Sequence, residues 1–201
     1  MGRLLFLACL ITVPAYADEP AKKPAEPELR SELMKRVKED QAARQAIVAS
    51  SRNGQPVPKE LQDKGEVIDK DNTKWLKNLV DKKGWPTFTM VGADGGNAAW
   101  LLVQHADLDR EFQKKCLGRM KELLPKGEVS KSDFAYLTDR VLVAEGKKQL
   151  YGTQFFTVNG KLEPRPIEDE AKIDERRKEM GLSTLEEYRK QIESIYGPKK
   201  K

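Results

Sequence analysis

The chain has 201 residues, with 37 lysines and arginines against 32 aspartates and glutamates and a single histidine, for a net charge of +5 at pH 7. That excess is interleaved with acids, gathers only at Lys199-Lys200-Lys201, and never alternates with stacking aromatic residues, so nucleic acid is not an expected partner. The length suits one compact domain, and of the two cysteines, Cys9 and Cys116, only Cys116 lies in the expected mature chain, so no internal disulfide is expected there.

Taken in chain order, residues 1–17 read as a signal peptide. Arg3 supplies the positive region, Leu4 to Val13 an apolar run too short to span a bilayer, and Ala15-Tyr16-Ala17 the small-x-small cleavage pattern. The expected product is an exported protein, periplasmic or secreted, beginning at Asp18 and without stable membrane insertion after cleavage. Residues 18–27 combine Pro20, Pro24 and Pro27 with charge and read as a tether. A single helical domain is then expected over 28–198, with a basic tail at 199–201.

Within it, Leu29, Leu33, Val37, Ala43 and Ile47 recur at roughly helical spacing and predict a first helix to about Ser50. Arg52 to Pro58 reads as a loop. A second helix is expected to open at Asp69 or Asp71 and to bury Trp75, Leu76, Leu79 and Val80 before Gly84 and Pro86 stop it. Thr87 to Val91 is β-rich, Asp94-Gly95-Gly96 reads as a turn, and Asn97 is placed to cap a third helix from Ala98. The fourth helix, Asp109 to Leu124, carries the stripe Phe112, Cys116, Met120 and Leu123. The fifth runs from Ser130 to Glu145, stopped by Gly146. Asn159-Gly160 between two short apolar runs predicts a tight hairpin, and helices near Glu168 to Met180 and Leu185 to Tyr196 finish the chain. The fold class is therefore mainly α, with one small β-hairpin near the C-terminal third.

The string from Asn97 to Tyr188 contains Ala98-Ala99-Trp100-Leu101-Leu102, Gln104-His105-Ala106-Asp107, Tyr136-Leu137-Thr138-Asp139-Arg140, Glu145-Gly146 and Tyr151-Gly152-Thr153-Gln154. In that order these segments resemble an uncharacterised bacterial family, a domain of unknown function. Pro166-Ile167-Glu168-Asp169 and Asp174-Glu175-Arg176-Arg177 strengthen the likeness. The resemblance implies a shared fold and a shared polar site, and no reaction.

The chemistry is read from the residues themselves. His105 falls on the apolar face of its helix beside a polar one carrying Trp100, Gln104 and Asp107. An imidazole titrates near neutrality, so His105 is the candidate base, with Asp107 or Asp139 fixing its tautomer. Glu145 ends a helix, where unpaired carbonyls and apolar Val141 and Leu142 favour its neutral form, and is the candidate acid. Arg140, Gln154, Tyr151, Gln104 and Trp100 are the candidate substrate-binding residues, the guanidinium fork of Arg140 suiting a carboxylate. With one histidine and one mature thiol, neither a metal set nor a cofactor motif is assigned. Cys116 reads as a core residue. The leading reading is a hydrolase-like acid-base enzyme acting on a small molecule, sugar or peptide. The alternative is a non-catalytic module that binds a ligand or protein through the same residues. The oligomeric state is left open.

Overall fold

The structure is a computed structural model that describes residues 23–51, 56–158 and 161–196. The expected signal peptide, the Asn159-Gly160 turn and the basic tail lie outside the described residues. Within them the chain is mainly helical, with seven helices and one two-stranded antiparallel hairpin. It divides into two compact units, one ending at Ser130 and the other beginning at Lys131.

The N-terminal unit holds α1 (Pro27–Ser51), α2 (Lys59–Lys83), α3 (Phe88–Gln104) and α4 (Arg110–Leu123), the last followed by a 3-10 turn at Leu124–Lys126. Pro27 opens α1, where its missing N–H costs no intrahelical bond. Ahead of it, the Ala25 and Glu26 amides donate to the carbonyls of Thr89 and Met90. Helix α3 packs against α1, α2 and α4. It buries nearly all of its second half, Ala98 to Gln104, and together with Leu33, Leu76, Val80, Phe112, Cys116 and Met120 forms the core of this unit. Each large side chain there contributes about 2 kcal/mol by leaving water.

Three expectations are corrected in this unit. Helix α2 begins at Lys59, well before Asp69. Its first turns carry few apolar residues and are held by close approach: a Cβ on Gly65 would lie 3.3 Å from the Ile47 Cδ1 atom of α1. Thr87 to Val91 is not extended. Thr87 caps α3 by accepting from the Met90 amide, and tertiary packing overrides the β preference of Phe88-Thr89-Met90-Val91. Asp94-Gly95-Gly96 is helical, and the break falls instead at Gly92, whose φ of 76° only glycine adopts readily. Gly95 and Gly96 serve contact, since a Cβ on Gly96 would sit 2.8 Å from the Phe88 ring.

The C-terminal unit starts with α5 (Lys131–Ala144), closed by Gly146 at φ 73°. Strands β1 (Phe155–Val158) and β2 (Lys161–Pro164) pair antiparallel, Phe155 opposite Pro164 and Val158 opposite Lys161. A 3-10 turn at Glu170–Lys172 leads into α6 (Ile173–Glu179), and α7 (Leu185–Tyr196) follows. Alternation along β1 puts Gln154, Phe156 and Val158 on one face, which its two apolar residues would turn inward, but the hairpin buries Phe155 and Leu162 of the other face instead. Tyr188 of α7 explains the choice: it packs edge-on against both Phe155 and Tyr136, at 5.8 Å between ring centroids in each case.

Candidate functional site

His105 caps the C-terminus of α3 and is 6% exposed. Its Nδ1 lies 2.9 Å from Asp40 Oδ1 and 2.9 Å from Arg44 Nε, both carried by α1. Arg44 also donates to Asp69 Oδ1 of α2, and its terminal nitrogen is 3.3 Å from Asp40 Oδ1. Gln41 Nε2 donates to the other Asp40 oxygen at 2.9 Å. Three helices thus deliver an imidazole, two carboxylates and a guanidinium to one buried cluster. Burial pushes the Asp40 carboxyl up, but the hydrogen bond and charge of His105, the charge of Arg44 and the Gln41 amide outweigh it and hold Asp40 below the ordinary carboxylate range.

One donor atom from each of Asp40, Asp69 and His105 lies within 4.8 Å of the other two, and such a set suits a divalent cation in kind. Arg44 touches all three, so the positive charge already among these donors is a guanidinium. His105 and Asp69 also line a cleft of about 310 Å³, together with Thr73, Lys74, Leu108 and Asp109. Leu108 is an exposed apolar side chain at its edge, and Lys77 on the same wall is paired with Asp109 at 2.6 Å.

Most of the other candidates from the sequence have identifiable partners. Asp107 accepts from Gln113 Nε2 at 3.2 Å, and the same amide donates to the carbonyl of Val103 at 3.0 Å. Trp100 and Gln104 are 1% exposed, inside the core, and Gln104 Oε1 has no hydrogen-bond partner among the described residues. In the C-terminal unit Asp139 is fully buried. Its carboxylate accepts from the amides of Leu150 at 2.7 Å, Tyr151 at 3.0 Å and Thr153 at 2.9 Å, and from the Thr153 hydroxyl at 2.9 Å. Burial pushes its pKa above the ordinary range, although these donors pull the other way. The loop they shape is also held by Arg177, which donates to the Tyr151 carbonyl at 2.6 Å. Burial and the Asp139 charge raise the Tyr151 phenol. Arg140 Nη1 meets Gln154 Oε1 at 3.4 Å, and Glu145 accepts from Lys147 at 2.7 Å just past the end of α5. Cys116 is fully buried and its thiol is pushed up to about 12, the state of a core residue and not of a nucleophile.

Sequence reasoning missed Asp40, Arg44 and Asp69. A signal for the first two existed: Leu33, Val37, Asp40, Arg44 and Ile47 fall on one helical stripe, so a carboxylate and a guanidinium occupy positions where the periodicity calls for apolar side chains. On α2, Gly65, Asp69, Asn72, Leu76 and Val80 form the matching stripe.

Fold and site together define a mainly helical protein with a buried histidine-carboxylate-arginine cluster at the edge of a cleft. The model of a family of unknown function, DUF6624, matches residues 27–201, and the chain belongs to that family. The expectation of an uncharacterised family, drawn from the motifs between Asn97 and Tyr188, is met. Comparison with curated proteins and with solved structures returns no match. No helix among the described residues is long and apolar enough to cross a membrane.

Proposed function

We propose that the protein is an exported, hydrolase-like acid-base enzyme whose working group is His105, oriented by Asp40, with the substrate seated in the cleft beside Asp69 and Lys74. The observation that carries this reading is the 2.9 Å contact between His105 Nδ1 and a buried carboxylate at the wall of a cleft. A carboxylate on one ring nitrogen fixes the imidazole and raises the basicity of the other, which is the arrangement proton transfer requires. Lys74 and the Thr73 hydroxyl, on the α2 wall of the cleft, are available to hold a small molecule, sugar or peptide. Asp139 and Arg140 have a different use, shaping the segment from Leu150 to Gln154.

The second reading, a binding module without turnover, is favoured by the depth of the imidazole, 6% exposed and held by two partners on one nitrogen. Thermal-shift screening of the mature protein against sugars, peptides and small-molecule esters tests both readings, because a ligand that binds only the folded state raises Tm. A ligand found this way should lose its shift in Lys74→Ala, which alters the cleft and leaves the cluster intact. A shift that survives in that variant places the ligand elsewhere and contradicts the proposed seat.

A further inference from the structure

His105 Nδ1 has two partners at the same 2.9 Å distance, Asp40 Oδ1 and Arg44 Nε. A ring nitrogen either carries a proton and donates, or carries a lone pair and accepts. Arg44 Nε always carries its hydrogen, since a guanidinium does not deprotonate in proteins. Asp40, held as a carboxylate, can only accept. With a proton on Nδ1 the imidazole satisfies Asp40 and opposes the Arg44 N–H. With a bare Nδ1 it satisfies Arg44 and faces Asp40 lone pair to lone pair. The two contacts therefore belong at full strength to different tautomers of the same ring.

Arg44 is kept in this competition by its other ties. Its terminal nitrogen is bonded to Asp69 on α2 and lies 3.3 Å from Asp40, and the side chain is 16% exposed. The consequence falls on the opposite ring nitrogen. In a neutral imidazole a proton on Nδ1 leaves a lone pair on Nε2, a base, whereas a bare Nδ1 puts the proton on Nε2, which then donates a hydrogen bond and cannot accept a proton.

We infer that Arg44 is a positioning residue which, by competing with Asp40 for Nδ1, sets which nitrogen of His105 carries the proton and hence whether the neutral imidazole presents a base or a hydrogen-bond donor at Nε2. Its functional meaning rests on the acid-base reading of His105, but the tautomer can be read without any substrate. The chain contains one histidine, so the two imidazole ¹⁵N resonances of the labelled protein are unambiguous. They are recorded at a pH where the same titration shows the ring to be neutral.

Arg44→Met removes the competing donor, and the ratio of the Nδ1–H to the Nε2–H tautomer should rise by about fivefold or more, the worth of one hydrogen bond. Arg44→Lys restores a cationic donor and should return the ratio toward wild type. An Arg44→Met ratio equal to that of wild type overturns the inference. Should that variant fail to fold, Asp40→Ala reports from the other side: it hands Nδ1 to Arg44 and should drive the ring to the Nε2–H form, whereas a ring that stays Nδ1–H contradicts the competition. Failure to find turnover would remove the enzymatic reading and leave these spectra unaffected.

Discussion

At the scale of single residues, two buried carboxylates show how burial and partners divide their roles. Asp40 meets a titratable ring and a guanidinium, so its surroundings can change with a proton. Asp139 meets three backbone amides and a hydroxyl, which have no second state, so it acts as a fixed anchor for Leu150 to Thr153. Asp139→Asn keeps the shape but turns an amide N–H toward other N–H groups, leaving buried donors unsatisfied. The expected cost is about 2 kcal/mol, read as a lower urea midpoint with an unchanged slope. A midpoint equal to wild type would remove the anchoring role. His105 was legible in the sequence because it is the one imidazole and sits at the edge of an apolar stripe. Asp40 and Arg44 stood out only as polar residues on an apolar stripe, and their meeting with the ring was not legible, because Asp40, Arg44 and Asp69 lie on other helices and only helix packing brings them there.

At the scale of elements, legibility followed the strength of local pattern. Helix α4 was readable from Phe112, Cys116 and Met120 at helical spacing behind Asp109, and Asp109 does cap it by accepting from the Phe112 amide at 3.0 Å. The start of α3 was not, because Asp94-Gly95-Gly96 reads as a turn, while the chain bends at Gly92 instead. The inward face of the hairpin was decided by Tyr188, distant in sequence, and no alternation rule within β1 could name it. Gly152 shows both uses of glycine at one position. Its φ is 65°, and a Cβ there would fall 2.8 Å from Leu185 Cδ1 and 2.9 Å from Ile173 Cδ1. Gly152→Ala combines left-handed strain with overpacking and should cost about 3 kcal/mol. Calorimetry of that variant should show a lower Tm, and an unchanged Tm would mean that α6 and α7 do not press on this turn.

At the scale of the whole molecule, stability should depend on pH with a sign set by the acids. Asp40, Asp94 and Asp109 are all held below the ordinary value of 3.8. For Asp40, its partners outweigh burial. For Asp94, the Arg30 hydrogen bond leads, and for Asp109, that of Lys77. The folded state of each binds its proton less readily than the unfolded chain. Their contribution is therefore complete above that value and is lost as pH falls below it. Asp139 works in the opposite sense: its raised value means a contribution that is full below the ordinary value and declines as pH rises through the raised one. The expected Tm profile falls on the acid side below about pH 4, and Asp40→Asn should flatten part of that fall. A profile in Asp40→Asn as steep as wild type would show that Asp40 is not among the acids responsible. The proposal that His105 transfers protons is tested most directly by turnover of wild type and His105→Gln, side by side, on a panel of glycoside, peptide and ester substrates. The prediction is that wild type turns over at least one of them and that the variant is slower by about a hundredfold or more. Equal rates in the two proteins would contradict it.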